Sequence, residues 1–202
     1  MATHTLADYN AAIQAMYGLA SNEQERQQAD KWLQHFCRST SAWEIANAVI
    51  ANPQTDAASP HMAFACKTLL DKISLDYEEL PSDTAKLALR EAVSTHVMRW
   101  GLGAGTPGTI LKKLSLCLAS LAVQMHWTDI FTYCTELIGK AQPGQEVNVT
   151  RLVLQLLAAL PVGTYKGPSA RLFVLSSTSI AACGPHSPSL VCITVAYKTG
   201  LP

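Results

Sequence analysis

The chain has 202 residues, a formal net charge of zero, 15% charged residues and 49% apolar residues. This apolar fraction excludes an intrinsically disordered chain, and the balanced charge excludes a general electrostatic attraction to nucleic acid or to an anionic membrane surface. Because the first twenty residues lack a basic start followed by an apolar run, and no apolar stretch approaches eighteen residues, neither a secretory signal nor membrane insertion is expected.

The amino-terminal residues predict a pair of helices. Apolar residues at helical spacing indicate a first helix over about residues 5–19 and a second that ends near Arg38. Ser21 and Gln24 have the spacing of a capping box, in which each side chain satisfies a backbone N–H of the first turn. We therefore expect the second helix to begin at Ser21.

Residues 39–81 predict a second helical hairpin. Ser41 and Glu44 have the spacing of a capping box at the start of its first helix. Ser59 is placed to cap its second helix, and Pro60 lacks an N–H that would be unpaired at that position anyway. A hairpin of this length cannot bury its apolar face alone, so it requires neighbours of the same kind.

Turn signals predict four further helices, which complete four hairpins up to about residue 161. A glycine-rich link over residues 101–105 separates the first two of them. The predicted starts are Ser82, Thr106 as N-cap with Pro107 as the first helical residue, Thr128, and the residues after the turn at Pro143 and Gly144.

The first helices of the hairpins start near residues 5, 41, 83 and 128, so the spacing is about 36 to 45 residues. Two helices within a period of this length are typical of HEAT repeats. We therefore expect an all-α fold, a right-handed α-solenoid of about four HEAT-type hairpins in which each hairpin contacts only its neighbours. A globular bundle of eight helices is the alternative that the spacing leaves open.

The composition changes at Pro161. All fifteen acidic residues precede it, and residues 162–202 contain three charged side chains, Lys166, Arg171 and Lys198. Residues 190–197 have a strand-like pattern, and residues 184–188 are typical of a turn. We expect an irregular tail that is unrelated to the repeats and arises by alternative splicing, intron read-through or a gene-prediction error. A genuine lineage-specific terminus is the alternative.

Groups with chemical reactivity form no recognisable catalytic or metal-binding pattern. The six histidines lack metal-ligand spacing, and the six cysteines include no Cys-x-x-Cys pair, so reduced thiols are expected. The glycines of residues 101–105 follow a helix rather than a strand, which indicates a loop and not a phosphate site. We expect a protein that is not an enzyme and that has no cofactor and no metal.

Several short runs resemble the amino-terminal end of the importin-β superfamily, and within it the transportin-SR branch, which includes importin-13-like receptors. The runs are QADKWLQHF at 28–36, AWEI at 42–45, FA at 64–65 with KI at 72–73, YEELP at 77–81 and LASLAVQM at 118–125. The resemblance extends from about residue 6 to Pro161. It implies importin-β amino-terminal HEAT repeats over 1–101, the start of an exportin-1-like region over 102–161, and a divergent tail over 162–202.

The resemblance implies a nuclear import receptor that binds the GTP-bound small GTPase Ran through the inner helix of each hairpin. On those helices, polar residues at i, i+4, i+7 and i+11 fall on one face. Leu70 departs from the family pattern, since a lysine is common there. The expected Ran-binding residues are Lys31, Gln34, Arg38, Lys67, Asp71, Lys72, Lys113, Ser120, Gln124, Asn148, Arg151 and Gln155.

Full-length receptors of this type import serine/arginine-rich splicing factors, contact nucleoporins and shuttle between cytoplasm and nucleus. The resemblance implies no direct contact with nucleic acid. Because cargo is bound by later repeats, we expect this chain to contribute Ran-binding repeats without supporting transport alone. Two alternatives stay open: a HEAT-type interaction scaffold without a transport role, and a truncated product without function.

Overall fold

The computed structural model describes residues 4–18, 22–103, 105–139 and 141–163, with the backbone alone for 161–163. These residues form helices and turns and contain no β-strand. The helices are α1 (Leu6–Tyr17), α2 (Glu23–Cys37), α3 (Ser41–Ala51), α4 (Pro60–Leu75), α5 (Asp83–Leu102), α6 (Gly108–Gln124), α7 (Ile130–Gly139) and α8 (Glu146–Gly163), with a short 3-10 helix at Tyr77–Glu79. The all-α prediction is confirmed.

The eight helices are arranged as four consecutive hairpins. Within the hairpins, α1 packs on α2, α3 on α4, α5 on α6 and α7 on α8. Between hairpins, the main contacts join α4 to α6 and α6 to α8, while α1 contacts α4 and α2 contacts α3 at the amino-terminal end. Because all the main contacts lie within a hairpin or between consecutive hairpins, the fold is a stack of HEAT-like repeats rather than a globular bundle.

One apolar core runs through the whole stack. It includes Tyr9 of α1, Phe36 of α2, Leu69 of α4, Leu118 of α6 and Leu152 of α8. Helix α6 is the most enclosed element, since every residue from 117 to 122 is buried between α4, α5 and α8. The second helices of the last three hairpins therefore form a continuous layer with α6 at its centre.

The predicted cap at Ser59 and the predicted helix start at Ser82 are confirmed. Ser59 Oγ accepts a hydrogen bond from the backbone N–H of Met62 at 3.2 Å, with Pro60 in the first turn of α4. Ser82 Oγ accepts from the backbone N–H of Ala85 at 3.2 Å and caps α5. Both serines follow an exposed turn, where the hydroxyl is free to satisfy an N–H that lacks a helical partner.

The predicted start of α2 is wrong by one residue. Its N-cap is Asn22, whose Oδ1 accepts from the backbone N–H of Glu25 at 2.9 Å. The Glu25 carboxylate accepts in return from the backbone N–H of Asn22 at 3.0 Å. This box is favoured because a carboxylate at the third position interacts with the positive end of the helix dipole, which Gln24 cannot do.

The predicted capping box of Ser41 and Glu44 is wrong. The N-cap of α3 is Thr40, which has helical backbone angles and no capping side chain, and Ser41 Oγ is instead 3.0 Å from Ser39 Oγ. The short turn after α2 pairs first-turn N–H groups with backbone carbonyls. The N–H of Ala42 donates to the carbonyl oxygen of Ser39, and the N–H of Trp43 donates to that of Thr40. Ser41 is therefore the first residue of α3 rather than its N-cap, and its hydroxyl group pairs with that of Ser39 instead of with a first-turn N–H.

Four other boundaries differ from the sequence prediction. Helix α5 continues through Gly101 to Leu102, and α6 begins at Gly108 with Pro107 as its N-cap. Helix α7 begins at Ile130, two residues after Thr128, and α8 continues two residues beyond Pro161. The strand-like residues 190–197 and the rest of the predicted tail lie outside the described residues.

No helix in the described part of the chain is long and apolar enough to cross a bilayer. The same residues contain no cluster of three or more His, Cys, Asp or Glu side chains with the geometry of a metal site. Cys37, Cys66, Cys117 and Cys134 are free thiols.

Candidate interaction surface

The expected binding residues of α2 lie on its solvent-exposed face. Lys31, Gln34 and Arg38 are all exposed, and the amide of Gln34 donates to the carboxylate of Asp30 at 2.8 Å. The opposite face of the helix is buried, and the rings of Trp32 and Phe36 stack there with centroids 5.3 Å apart. The amphipathic pattern therefore orients α2 as predicted, with its polar groups available to a partner.

On α4, the predicted residues separate into an exposed pair and a buried residue. Lys67 and Asp71 form an exposed ion pair at 2.7 Å, and the hydrogen bond to Asp71 raises the pKa of Lys67. Lys72 is 2% exposed, and its ammonium lies 2.6 Å from the carboxylate of Asp76 and 5.9 Å from the ring centroid of Trp43. The expectation that Lys72 faces a partner is wrong, because it lies on the side of α4 that packs into the hairpin.

On α6, packing on three sides leaves a narrow polar strip. Gln124 is exposed, and the half-buried Lys113 donates to the backbone carbonyl of Ala63 on α4 at 3.0 Å. Ser120 is buried, so its expected exposure is wrong. Lys112 is exposed beside Lys113, and the i, i+4 pattern did not select it because it lies on a neighbouring stripe of the helix.

On α8, Arg151 is exposed, whereas its two predicted partners are half-buried. The Asn148 amide donates to the backbone carbonyl of Leu102 at 3.3 Å, which joins α8 to the end of α5. Gln155 has a buried Oε1 without a hydrogen-bond partner. The structure therefore brings Lys31, Gln34, Arg38, Lys67, Asp71, Gln124 and Arg151 to the surface, and gives Lys113 and Asn148 a packing role as well.

Burial shifts the pKa of several titratable groups among the described residues. Burial raises the pKa of the Cys66 thiol to about 12 and that of Cys134 to about 11, so neither is a nucleophilic thiolate at neutral pH. Burial, followed by the charge of Arg99, lowers the pKa of His96 to about 4. The chemistry that this surface offers is ion pairing and hydrogen bonding to another macromolecule.

No family model matches the chain. The chain is 28% identical over 122 residues to the protein named transportin MOS14 of Arabidopsis thaliana, a match that covers 59% of this chain and 12% of that protein. It is 27% identical over 152 residues to the mRNA transport regulator MTR10 of Saccharomyces cerevisiae. This match covers 73% of this chain and 14% of that protein. A similar match, 27% over 152 residues, covers 75% of this chain and 15% of an uncharacterized protein of Schizosaccharomyces pombe.

The matched segment spans between 12% and 15% of the length of these relatives. Two of the three relatives have names that describe transport. The similarity therefore supports a distant relationship between the helical hairpins of this chain and a small part of much longer transport proteins.

Proposed function

We propose that the chain is the amino-terminal part of a nuclear transport receptor of the importin-β, or karyopherin, superfamily. The observation that carries this proposal is the similarity to a transportin and to an mRNA transport regulator over 59% and 73% of the chain. Stacked helical hairpins suit such a receptor, because a solenoid presents an extended surface on which a large partner binds. Within the superfamily, the runs at 42–45 and 77–81 favour an import receptor of the transportin-SR, importin-13-like type.

The proposed partner of the polar surface is GTP-bound Ran. The exposed groups are mainly basic, since Lys31 and Arg38 lie on α2 and Arg151 lies on α8, and the single acid among them, Asp71 on α4, is paired with Lys67. A charged surface of this kind favours specific orientation and rapid encounter more than raw affinity. Lys72 and Ser120 are excluded from the proposed contact set because they are buried.

The proposed role is one part of an import cycle. In a longer receptor of this type, serine/arginine-rich splicing factors and nucleoporins would bind later repeats, while this segment would bind Ran-GTP and favour cargo release. The protein would shuttle between cytoplasm and nucleus without contacting nucleic acid directly and without inserting into a membrane. Because the chain spans 12–15% of its relatives, it would bind Ran without completing transport.

The test is a pull-down of the full chain with Ran loaded with a non-hydrolysable GTP analogue, compared with Ran-GDP. Arg151→Glu reverses an exposed charge on α8 and should weaken binding of the GTP form by about tenfold, in the range of a lost charged contact. Binding should also become weaker as salt increases, because exposed charges are screened.

The matched control is Arg99→Glu, which makes the same charge change on α5, in the other helix layer. Arg99 donates a hydrogen bond to the backbone carbonyl of Ala51, so Arg99→Glu removes a contact within the protein as well as a charge. The thermal unfolding of this variant must therefore be measured in parallel with its binding. Arg99→Glu should leave Ran binding unchanged. Equal binding of both nucleotide states, or equal losses in both variants, would contradict the Ran assignment and favour an interaction scaffold without a transport role.

A further inference from the structure

Three side-chain hydrogen bonds connect α3, the first helix of the second hairpin, to α5, the first helix of the third hairpin. They join His96 to the Oδ1 atom of Asn47 at 2.6 Å, Arg99 to the backbone carbonyl of Ala51 at 2.7 Å, and Trp100 to the backbone carbonyl of Ile50 at 3.0 Å. The three residues of α5 lie at i, i+3 and i+4, and so do their partners on α3, so the bonds connect one face of each helix. We call this set of bonds the latch.

The latch also completes the end of α3. The last four carbonyl groups of an α-helix have no partner within the helix. Two of those in α3 accept hydrogen bonds from the same hairpin, one from the backbone N–H of Asn52 and one from the hydroxyl of Thr55. The carbonyls of Ile50 and Ala51 accept from α5, and the positive charge of Arg99 is favourable there because it lies at the negative end of the helix dipole. The third hairpin therefore completes the cap of the second.

The second helices of the same two hairpins are joined differently. Helix α4 packs on α6 along a more extensive contact than that between α3 and α5, and Leu69 of α4 and Leu118 of α6 are fully buried in one apolar core. The hydrogen bond from Lys113 to the carbonyl of Ala63 adds to this contact. Separation of apolar surfaces is costly in proportion to their area, whereas a hydrogen bond is exchanged for bonds to water at a small net cost. The α3–α5 contact is therefore the weaker side of the junction.

We propose that the junction between the second and third hairpins is a hinge, in which the latch opens and closes while α4 and α6 stay packed. Packed helix axes lie about 8–10 Å apart, so a rotation of about 15° about the α4–α6 contact would separate α3 from α5 by about 2–3 Å. That movement breaks the three bonds of the latch and admits water to the end of α3. Closure restores the bonds together, so the hinge has two distinct positions with different curvature of the stack. The hinge rests on contacts within the chain and not on the proposed binding of Ran.

Distances between spin labels test the hinge in the full chain. One pair of labels, at Ala48 on α3 and Thr95 on α5, measures the latch side, and a second pair, at Lys67 on α4 and Lys112 on α6, measures the packed side. All four positions are exposed, and the labels are attached through p-acetyl-phenylalanine because the chain contains free thiols. In the wild type, dipolar EPR spectroscopy should give a broader distance distribution for the α3–α5 pair than for the α4–α6 pair. Equal widths would contradict the hinge.

Removal of latch bonds should shift the hinge towards its open position. The double variant Asn47→Leu with Trp100→Phe removes two of the three bonds and keeps an apolar side chain at the first position and an aromatic ring at the second. The mean α3–α5 distance should increase by about 2–3 Å while the mean α4–α6 distance stays unchanged. An unchanged α3–α5 distance would show a rigid junction, and an equal increase for both pairs would show a junction that loosens as a whole. Either result would overturn the proposal.

The matched control is Tyr9→Phe, which removes a hydrogen bond of the same kind between the first and second hairpins. The hydroxyl of Tyr9 donates to the backbone carbonyl of His61 at 2.7 Å. Tyr9→Phe should leave both distances unchanged, and an increase of the α3–α5 distance equal to that of the double variant would also count against the hinge. Circular dichroism checks that each variant is folded. If the double variant does not fold, the two distribution widths of the wild type decide the question alone.

Discussion

At the scale of single residues, the ammonium of Lys72 lies in the core and has one carboxylate partner, Asp76, at 2.6 Å. A buried ion pair recovers its desolvation cost only in part, whereas removal of one partner leaves an uncompensated charge. We therefore expect Asp76→Ala to destabilise the protein by about 2 kcal/mol. Lys72→Met should stay within about 1 kcal/mol of the wild type. Urea unfolding monitored by circular dichroism measures both changes.

The exposed pair of Lys67 and Asp71 provides the matched control, since it has the same i, i+4 spacing on the same helix. Asp71→Ala should cost less than about 0.5 kcal/mol, because exposed pairs are screened by water. If Asp71→Ala and Asp76→Ala lower the free energy of unfolding equally, the burial of Lys72 does not determine how much its ion pair contributes to stability.

His96 should make stability depend on pH. Its ring is 4% exposed and lies 2.6 Å from Asn47 Oδ1, and burial lowers its pKa to about 4. In the unfolded chain its pKa is about 6.5, so below that pH the unfolded state binds a proton that the folded state does not. The stability is complete above pH 6.5 and should fall by about 1.4 kcal/mol per pH unit as the pH decreases towards 4.

The measurement is the free energy of unfolding of the wild type minus that of His96→Gln at pH 7, 6 and 5. This difference cancels the other titrating groups and should decrease by up to about 2 kcal/mol over the range. A difference that does not change with pH would mean that His96 is protonated equally easily in both states.

At the scale of helices, local signals predicted the starts of α4 and α5 but not the start of α3. Ser59 and Ser82 follow open turns, so their hydroxyl groups are the available acceptors for first-turn N–H groups. Before α3, the chain turns within three residues after α2, and backbone carbonyls take those N–H groups instead. A capping pattern therefore predicts a cap only where the preceding turn leaves an N–H unsatisfied.

Gly101 sets how closely α5 approaches α8. A Cβ at this position would lie 2.8 Å from one methyl carbon of Leu152 and 2.9 Å from the other. Both residues are buried, so Leu152 has little room to move. We expect Gly101→Ala to destabilise the protein by about 1–2 kcal/mol, because overpacking exceeds the gain in helix propensity near the end of α5. Chemical denaturation measures the change.

Two comparisons separate overpacking from backbone effects. Gly108→Ala also changes a helical glycine, but nothing lies within 4 Å of its Cβ position, so it should be neutral or slightly stabilising. In a Leu152→Ala background, Gly101→Ala should not lower the free energy of unfolding further, because the side-chain carbons of Leu152 that the new Cβ would contact are absent. A persistent cost in that background would place the strain in the backbone of α5.

At the scale of the whole molecule, the number of neighbours of a helix decides how much of its polar pattern remains exposed. Helix α2 lies at the end of the stack, and its predicted residues Lys31, Gln34 and Arg38 are exposed. Helix α6 packs on α4, α5 and α8, and Ser120 is buried although it fits the same spacing. Periodicity identifies one face of a helix, but contacts between distant segments determine how wide the buried face becomes.

The same difference in enclosure predicts a gradient of stability along the stack. A solenoid opens from its ends, so amide hydrogen exchange should be slowest in α6 and at least tenfold faster in α1 and α2. Leu118→Ala in α6 should cost about 3 kcal/mol and accelerate exchange in α4, α6 and α8 together. Leu33→Ala in α2 should accelerate exchange in α1 and α2 and leave α6 unchanged, because the first hairpin can open without disturbing the central layer. If both variants accelerate exchange equally in every helix, the stack unfolds as one cooperative unit, and its enclosed centre gives no extra local protection.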